Sequence, residues 1–257
     1  MKMTFLGTGS AYGVPTNGGD WGVCDPKNPR NRRLCQSVLL ETADTKVLVD
    51  VGPSFREQTI THKIRGVDAV WLTHAHYDHI GGIPELSNFI KWQRHDLPIY
   101  ASEETMTGVK KCFYYLFDDD IKVKHYGENR LNWKTLSYLE PVQINDIELL
   151  PLQLFHGVMD ATGFKVNNSA YCTDLQSMPD ESWERLENLD TLVLECNSRD
   201  KRDDKHNYVS QAIAWHEALK PRETWLTHFD ITMDDMIIGQ NLPTGMKMAY
   251  DGLTLNL

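Results

Sequence analysis

The chain has 257 residues, 41% hydrophobic and 10% aromatic, with 26 Lys or Arg against 36 Asp or Glu for a formal net charge of −10. This is the composition of an ordinary globular protein. The acidic balance, with a pI near 5.4, argues against a protein that coats nucleic acid or anionic membrane, because such binding needs a concentrated excess of cations. No apolar run approaches the roughly 18 residues that cross a bilayer, and Met1-Lys2-Met3-Thr4 leads straight into a strand-like segment. The five cysteines, Cys24, Cys35, Cys112, Cys172 and Cys196, are scattered without a C-x-x-C pair, which suits reduced thiols. The expectation is one cytoplasmic domain over residues 1–257, without disulfides and without a membrane partner.

Met3 to Leu6 predicts a short strand running into the glycine-rich turn Gly7-Thr8-Gly9-Ser10 and Gly13-Val14-Pro15, followed by a long loop to about Arg33. Ser37 to Thr42 and Lys46 to Asp50 read as strands around an Ala43-Asp44 turn, and Val67 to Thr73 as a buried strand that ends in a histidine cluster. Leu86, Phe89, Ile90 and Trp92 predict a helix over Glu85 to Gln93. A second helix is expected from Glu103 to Phe117 with Ser102 as its N-cap. Asp118-Asp119-Asp120 reads as a solvated turn. Strands follow at Ile147 to Leu154, Phe164 to Cys172, Thr191 to Glu195 and Glu223 to Thr227. Val209 to Leu219 predicts a helix capped by Asn207 or Ser210, which puts His206 just ahead of its N-terminus. Trp71, Trp92, Trp183, Trp215 and Trp225 are expected in the core. Mixed strands and helices with polar residues at strand ends point to an α/β sandwich whose site lies along one edge of its sheets.

The chemistry concentrates in Thr73-His74-Ala75-His76-Tyr77-Asp78-His79. Three imidazoles and a carboxylate directly after an apolar strand are the donors that divalent zinc, iron or manganese accept, and a strand-to-helix loop can fan them toward two neighbouring points. The cluster reads as half of a two-metal site. His156, Asp174 and His228 each follow an apolar run, as strand-end residues do.

With its H-x-H-x-D-H motif and these three later residues in order, the sequence resembles the metallo-β-lactamase superfamily. The resemblance implies a four-layer αββα sandwich. It implies two divalent ions, zinc or manganese foremost and iron also acceptable, one held by His74, His76 and His156, the other by Asp78, His79 and His228, with Asp174 shared and a metal-bridging hydroxide as nucleophile. Asp50, in Leu48-Val49-Asp50-Val51-Gly52, matches the family's buried aspartate ahead of the metal loop, which orients a ligand.

Phe5-Leu6-Gly7-Thr8-Gly9 with Gly13-Val14-Pro15 resembles the phosphodiesterase branch. Leu194-Glu195-Cys196-Asn197-Ser198, His206-Asn207-Tyr208 and Leu226-Thr227-His228 are more similar to the PhnP-type phosphoribosyl cyclic phosphodiesterases than to the transfer-RNA 3′-processing endonucleases, which carry a His-Glu-Ala-Thr signature and a protruding arm. The resemblance makes His206 the general acid for the leaving oxygen and, with Asp78, a candidate catalytic residue. It implies a small cyclic or nucleotide-like phosphodiester substrate and no stable nucleic-acid complex, and it leaves a homodimer open. The PhnP-type structural zinc is not expected, because only Cys24 is present in the loop after the first strand and Ile231 stands three residues beyond His228. That loop instead carries Lys27, Arg30, Arg32 and Arg33. Arg30 and Arg33 are the candidate substrate contacts, since their forks match phosphate oxygens. The alternatives are an RNA-end-processing nuclease and an ester, thioester or lactone hydrolase on the same dinuclear site.

Overall fold

Alternation of apolar residues along the central strands builds the layers. A computed structural model describes residues 1–118 and 130–257. In β2 (Ser37–Glu41), β3 (Lys46–Val49) and β4 (Ala69–Trp71), the residues Val38, Leu40, Val47, Val49, Ala69 and Trp71 enter one core, while Leu39, Leu48 and Val70 enter another. The period of two places successive side chains on opposite faces of a sheet that is buried on both.

The first sheet has the order β14-β1-β2-β3-β4-β5-β6, with β1 (Lys2–Gly7), β5 (Leu97–Ala101), β6 (Leu131–Thr135) and β14 (Thr254–Asn256) completing it. The second has the order β13-β12-β11-β10-β9-β8-β7 and comprises β7 (Val142–Ile144), β8 (Ile147–His156), β9 (Met159–Val166), β10 (Ser169–Cys172), β11 (Thr191–Glu195), β12 (Glu223–Thr227) and β13 (Met246–Met248). The sheets face each other across a shared core in which Phe5, Val49 and Trp71 meet Leu149, Phe164, Tyr171 and Val193. Helices α1 (Phe55–Thr61), α3 (Ser87–Gln93) and α4 (Glu103–Cys112) cover the outer face of the first sheet. Helices α5 (Asp180–Trp183), α6 (Val209–Leu219) and α7 (Asp235–Gly239) cover the second. This is the αββα sandwich.

Both sheets change from antiparallel to parallel pairing partway across. β3, β4, β5 and β6 run parallel, as do β10, β11, β12 and β13. Their carboxyl ends therefore gather at one edge, where ligand sites of α/β sheets form. Beneath that edge, Gln36 ties the second sheet together, donating to the Tyr171 hydroxyl at 2.8 Å and accepting from Thr227 Oγ1 at 2.6 Å.

Several elements depart from expectation. The helix after Ser102 stops at Cys112, because Phe113 leaves the helical region (φ −127°, ψ 47°) and a 3-10 turn, Tyr114–Leu116, folds Leu116 into the outer core. Ser102 does cap it, accepting from Thr105 N at 3.2 Å. Phe164 to Cys172 is two strands joined at Asn167-Asn168, with Asn167 in the left-handed region (φ 49°), a conformation Asn tolerates in tight hairpins. The helix expected from Glu85 begins as a 3-10 turn, Ile83–Leu86, and Trp92 on its α3 segment is 61% exposed instead of core. Neither Asn207 nor Ser210 caps α6. Residues 197–198 and 207–209 run side by side, so Val209 N finds Ser198 O at 3.2 Å. Asp118 is exposed, while Asp119 and Asp120 lie outside the described residues. All five cysteines are free, and among the described residues no helix is long and apolar enough to cross a membrane.

Candidate metal centre

The H-x-H-x-D-H segment follows β4 and turns into the four-residue helix α2 (Tyr77–Ile80), with His76 extended at its N-cap (φ −72°, ψ 152°) and Asp78 and His79 in its turn. Asp50, at the end of neighbouring β3, grips this segment. Its carboxylate accepts from Thr73 N and Thr73 Oγ1, each at 2.8 Å, and from His79 Nδ1 at 2.7 Å. Gly52 permits the close approach, since a Cβ there would sit 1.9 Å from Asp78 O. From the second sheet come His156 at the end of β8, Asp174 beyond β10 and His228 beyond β12.

Two groups form around Asp174. His74 Nε2 and His156 Nε2 lie 2.8 and 3.2 Å from His76 Nδ1, and 4.0 and 3.9 Å from Asp174 Oδ1. His79 Nε2 is 3.2 Å from both Asp78 Oδ2 and Asp174 Oδ2, and His228 Nε2 is 3.6 Å from Asp78 and 3.3 Å from Asp174. Asp50, Asp174 and His228 all have left-handed backbones (φ 62°, 54° and 65°). Non-glycine residues hold such conformations at a cost of about 1–3 kcal/mol each, and they cluster where side-chain placement is functional.

These residues fit a pair of cations. The ring nitrogens of His79 and His228 that face the group are buried without a hydrogen-bond partner, a costly state for a polar atom unless a ligand is bound there. Three imidazole nitrogens converging on one point cannot all donate to one another, whereas they can all donate electron pairs to one ion. The outward nitrogens are spoken for. His74 Nδ1 faces Thr73 Oγ1 at 3.1 Å, His156 Nδ1 faces Lys205 O at 3.1 Å, and His228 Nδ1 faces Glu195 Oε1 at 3.3 Å. That second layer of contacts fixes which nitrogen points inward.

The charge balance agrees. Burial disfavours protonated His74 and His76, so both lie below the ordinary His value and offer lone pairs. Burial acts the same way on His228 and His79, but the surrounding carboxylates, Asp174 foremost, overcome it. His228 is pushed up to about 10, and His79 also lies well above its ordinary value. The cluster of carboxylates demands positive charge.

Glu195, at the end of β11, was legible only as part of a motif. Its buried carboxylate accepts Leu175 N at 2.6 Å and contacts Nδ1 of both His228 and His206, the latter through a hydrogen bond. Burial opposes protonation of His206, and Glu195 outweighs it, so the imidazole lies above its ordinary pKa. His206 lines a cavity of about 300 Å³ together with His76, Asp78, Asp174 and His228. The glycine-rich turn supplies Ser10 and Tyr12 to one wall, and the stretch ahead of His206 supplies Arg202 and Asp203 to the other.

The expectation for Arg30 and Arg33 is corrected. Asn31 locks their loop to the segment after His228, donating to Asp234 Oδ2 at 2.7 Å and accepting Asp235 N at 2.9 Å. Arg33 is consequently 2% exposed, with its guanidinium over the Phe229 ring at 4.6 Å. Arg30 lies over Tyr250 and 3.9 Å from Asp235, in a different cavity. Cys24 is buried, its thiol 3.5 Å from Ile231 O, and among the described residues no cluster of metal-ligating side chains includes it.

Comparison with known proteins places this architecture. Residues 45–229 match the beta-lactamase superfamily domain. The octanoyltransferase of Porphyromonas gingivalis is 30% identical over 258 residues, covering 98% of this chain and 51% of that protein. The exodeoxyribonuclease WalJ of Streptococcus pneumoniae is 28% identical over 170 residues, covering 63% of this chain and 58% of that one. The chain thus spans between about half and three-fifths of the length of these curated relatives. Among solved structures, a diphosphatase from the PhnP family superposes with a TM-score of 0.89 at 31% identity, covering 99% of this chain and 96% of that one. Human tRNase Z, short form, shares the fold at a TM-score of 0.71 and 19% identity, covering 100% and 99%. The chain belongs to the beta-lactamase superfamily and has its metallo-β-lactamase fold.

Proposed function

We propose that this protein is a metal-dependent hydrolase of small phosphodiesters or related phosphoryl compounds, acting in the cytoplasm. The observation that carries the reading is the Glu195–His206 pair on the wall of a small cavity whose floor is the two-cation cluster. His74, His76 and His156 would hold one divalent ion and Asp78, His79 and His228 the other, with Asp174 shared, in a nitrogen and oxygen donor set suited to zinc or manganese. When bound, such a pair supplies Lewis acidity toward phosphoryl oxygens and an activated water.

The chain's own residues do the rest. Asp50 and Thr73 hold the H-x-H-x-D-H loop in place, so the site is formed before substrate arrives. Glu195 occupies Nδ1 of His206 and favours the imidazolium, which leaves Nε2 to carry the proton that a departing oxygen needs. The cavity of about 300 Å³ suits a small substrate better than a folded nucleic acid, and the net charge of −10 disfavours a long polyanion. The similarity to a PhnP-family diphosphatase supports phosphoryl chemistry, whereas the octanoyltransferase similarity makes acyl chemistry the rival to test.

The experiment compares hydrolysis of bis-p-nitrophenyl phosphate with that of a matched carboxylic ester and a lactone, using zinc- or manganese-reconstituted protein and an Asp78→Ala control. Metal-dependent phosphodiester cleavage that the control loses is the expected result. Ester or lactone turnover without phosphodiester turnover would overturn the substrate class.

A further inference from the structure

The stretch from Arg199 to Lys205 forms the wall of the cavity that also presents His206, and it is pinned along its length. Arg199 N donates to Thr232 Oγ1 at 3.2 Å, Asp203 Oδ1 accepts Lys205 N and His206 N at 2.8 and 3.1 Å, and Lys205 O meets His156 Nδ1 at 3.1 Å. A side chain on this stretch therefore holds a defined position relative to the cluster.

Arg202 is that side chain. Among the described residues lining the cavity it is the one Lys or Arg, set among the carboxylates of Asp78, Asp174, Asp203 and Asp230. Its Nη1 lies 3.1 Å from Asp230 Oδ2, and the side chain is 55% exposed. Asp230 cannot swing to meet it, because Oδ1 already accepts Thr232 N at 2.7 Å and Thr232 Oγ1. The geometry is a charge contact without a hydrogen bond, for Asp230 Oδ2 has none. Asp230 thus pairs with one terminal nitrogen of the guanidinium and leaves Nε and Nη2 for another partner, and an arginine fork matches two oxygens of a phosphoryl group.

Resting on the phosphoryl reading above, we infer that Arg202 is a specificity-determining residue that binds a second phosphoryl group beside the scissile one. Arg202 lines the same cavity as Asp78, Asp174 and His228, so the group it meets is a near neighbour of the one at the cluster, and the favoured substrate class is an organic diphosphate. Hydrolysis there adds one water across the P–O–P link. The water oxygen bonds to one phosphorus and gives up a proton, the bridging P–O bond breaks, and the bridging oxygen leaves on the other phosphoryl group with a proton from His206, while Arg202 holds the nonbridging oxygens of that group.

The test uses the p-nitrophenyl esters of adenosine monophosphate and adenosine diphosphate with the metal-reconstituted protein, products being separated by chromatography. Wild type is expected to favour the diphosphate. Arg202→Ala should lower the ratio of kcat/KM, diphosphate over monophosphate, by about tenfold to a hundredfold, mainly through KM, as loss of a charge-assisted bond predicts. Arg202→Lys should keep part of the ratio, since a point charge still meets one oxygen. An unchanged melting midpoint in both variants checks the fold. If both substrates fall in proportion, or wild type shows no preference, the role of Arg202 is overturned while metal-dependent turnover that Asp78→Ala loses leaves the hydrolase reading standing. If wild type turns over neither ester, both fail.

Discussion

Replacing Glu195 with Gln removes one negative charge and changes little else in shape, so it isolates what that charge does. Glu195 accepts from Leu175 N, contacts His228 Nδ1 and holds His206 Nδ1. A hydrogen bond to a charged group is worth about 1.5–3 kcal/mol, and an amide nitrogen turned toward an imidazole N–H would forfeit one. In the variant, burial acts on His206 with only Asp174 left among the carboxylates that raise it, and its pKa drops from its position above the ordinary His value. In the proposed function His206 serves as an acid, so the active form would be the protonated one and the rate would fall as pH rises through its pKa. The alkaline limb of kcat should therefore move to lower pH, with about a tenfold loss above the limb for each pH unit of displacement. The substrate must have a poor leaving group, such as an alkyl phosphodiester, because p-nitrophenolate departs without needing a proton. The assay is kcat from about pH 5 to about pH 9 for an alkyl and a p-nitrophenyl diester. The alkyl diester should lose roughly a hundredfold near neutral pH and the p-nitrophenyl diester much less. Equal losses on both, with an unmoved limb, would show that Glu195 is scaffolding and that His206 is not the acid.

Three further expectations address the site and its support. His206→Ala should slow alkyl-diester turnover while retaining the bound metal, whereas Asp174→Ala should lose the metal and nearly all activity; metal analysis of the purified variants separates the two roles. Gly52→Ala should drive the new methyl into Asp78 O, destabilising the fold by about 1–3 kcal/mol and lowering metal content, as denaturant titration and metal analysis would show; wild-type values for both would refute the packing argument. Asp251 is pushed up to about 6 from its ordinary 3.8, chiefly by burial, against which the hydrogen bonds from Leu34 and Thr8 act. The folded state binds that proton more tightly, so its contribution of about 3 kcal/mol is complete below the unfolded pKa and is lost as pH rises toward 6. Asp251→Asn should flatten the unfolding free energy across that window relative to wild type, and an unchanged slope would contradict it.

Much of the centre is readable because metal chemistry is restrictive and local. Three imidazoles and an aspartate within six residues have few other uses, and His156, Asp174 and His228 stand where apolar strands stop. The strands themselves follow from alternation, as in Val47 to Val49. What escapes is what depends on distant partners. Arg30 and Arg33 look like phosphate contacts until Asn31 is seen fastened to Asp234 and Asp235, more than two hundred residues away in sequence. Arg202 sits in a run of mixed charges that resembles a solvated loop, and the bonds of Asp203, Lys205 and Thr232 place that run on the cavity wall. Short edge strands such as β6 and β14 carry little apolar signal, because half their residues face solvent. Trp92 shows the converse: an aromatic residue in a helical pattern that the last turn of α3 leaves outside.

The two groups of candidate ligands do not belong to separate halves of the protein. Asp50 and the H-x-H-x-D-H segment hang from the first sheet, His156, Asp174 and His228 from the second, and each group draws on both. Cation occupancy and the docking of one sheet on the other would therefore be thermodynamically linked, and bound ions would act as a removable rivet between the layers. Reciprocity follows: a cavity cut in the shared core far from the edge, at Trp71 or Phe164, should weaken metal affinity by whatever free energy it takes from the sheet-to-sheet interface in the bound geometry. The resting stability of such an enzyme becomes a reading of the free metal concentration around it.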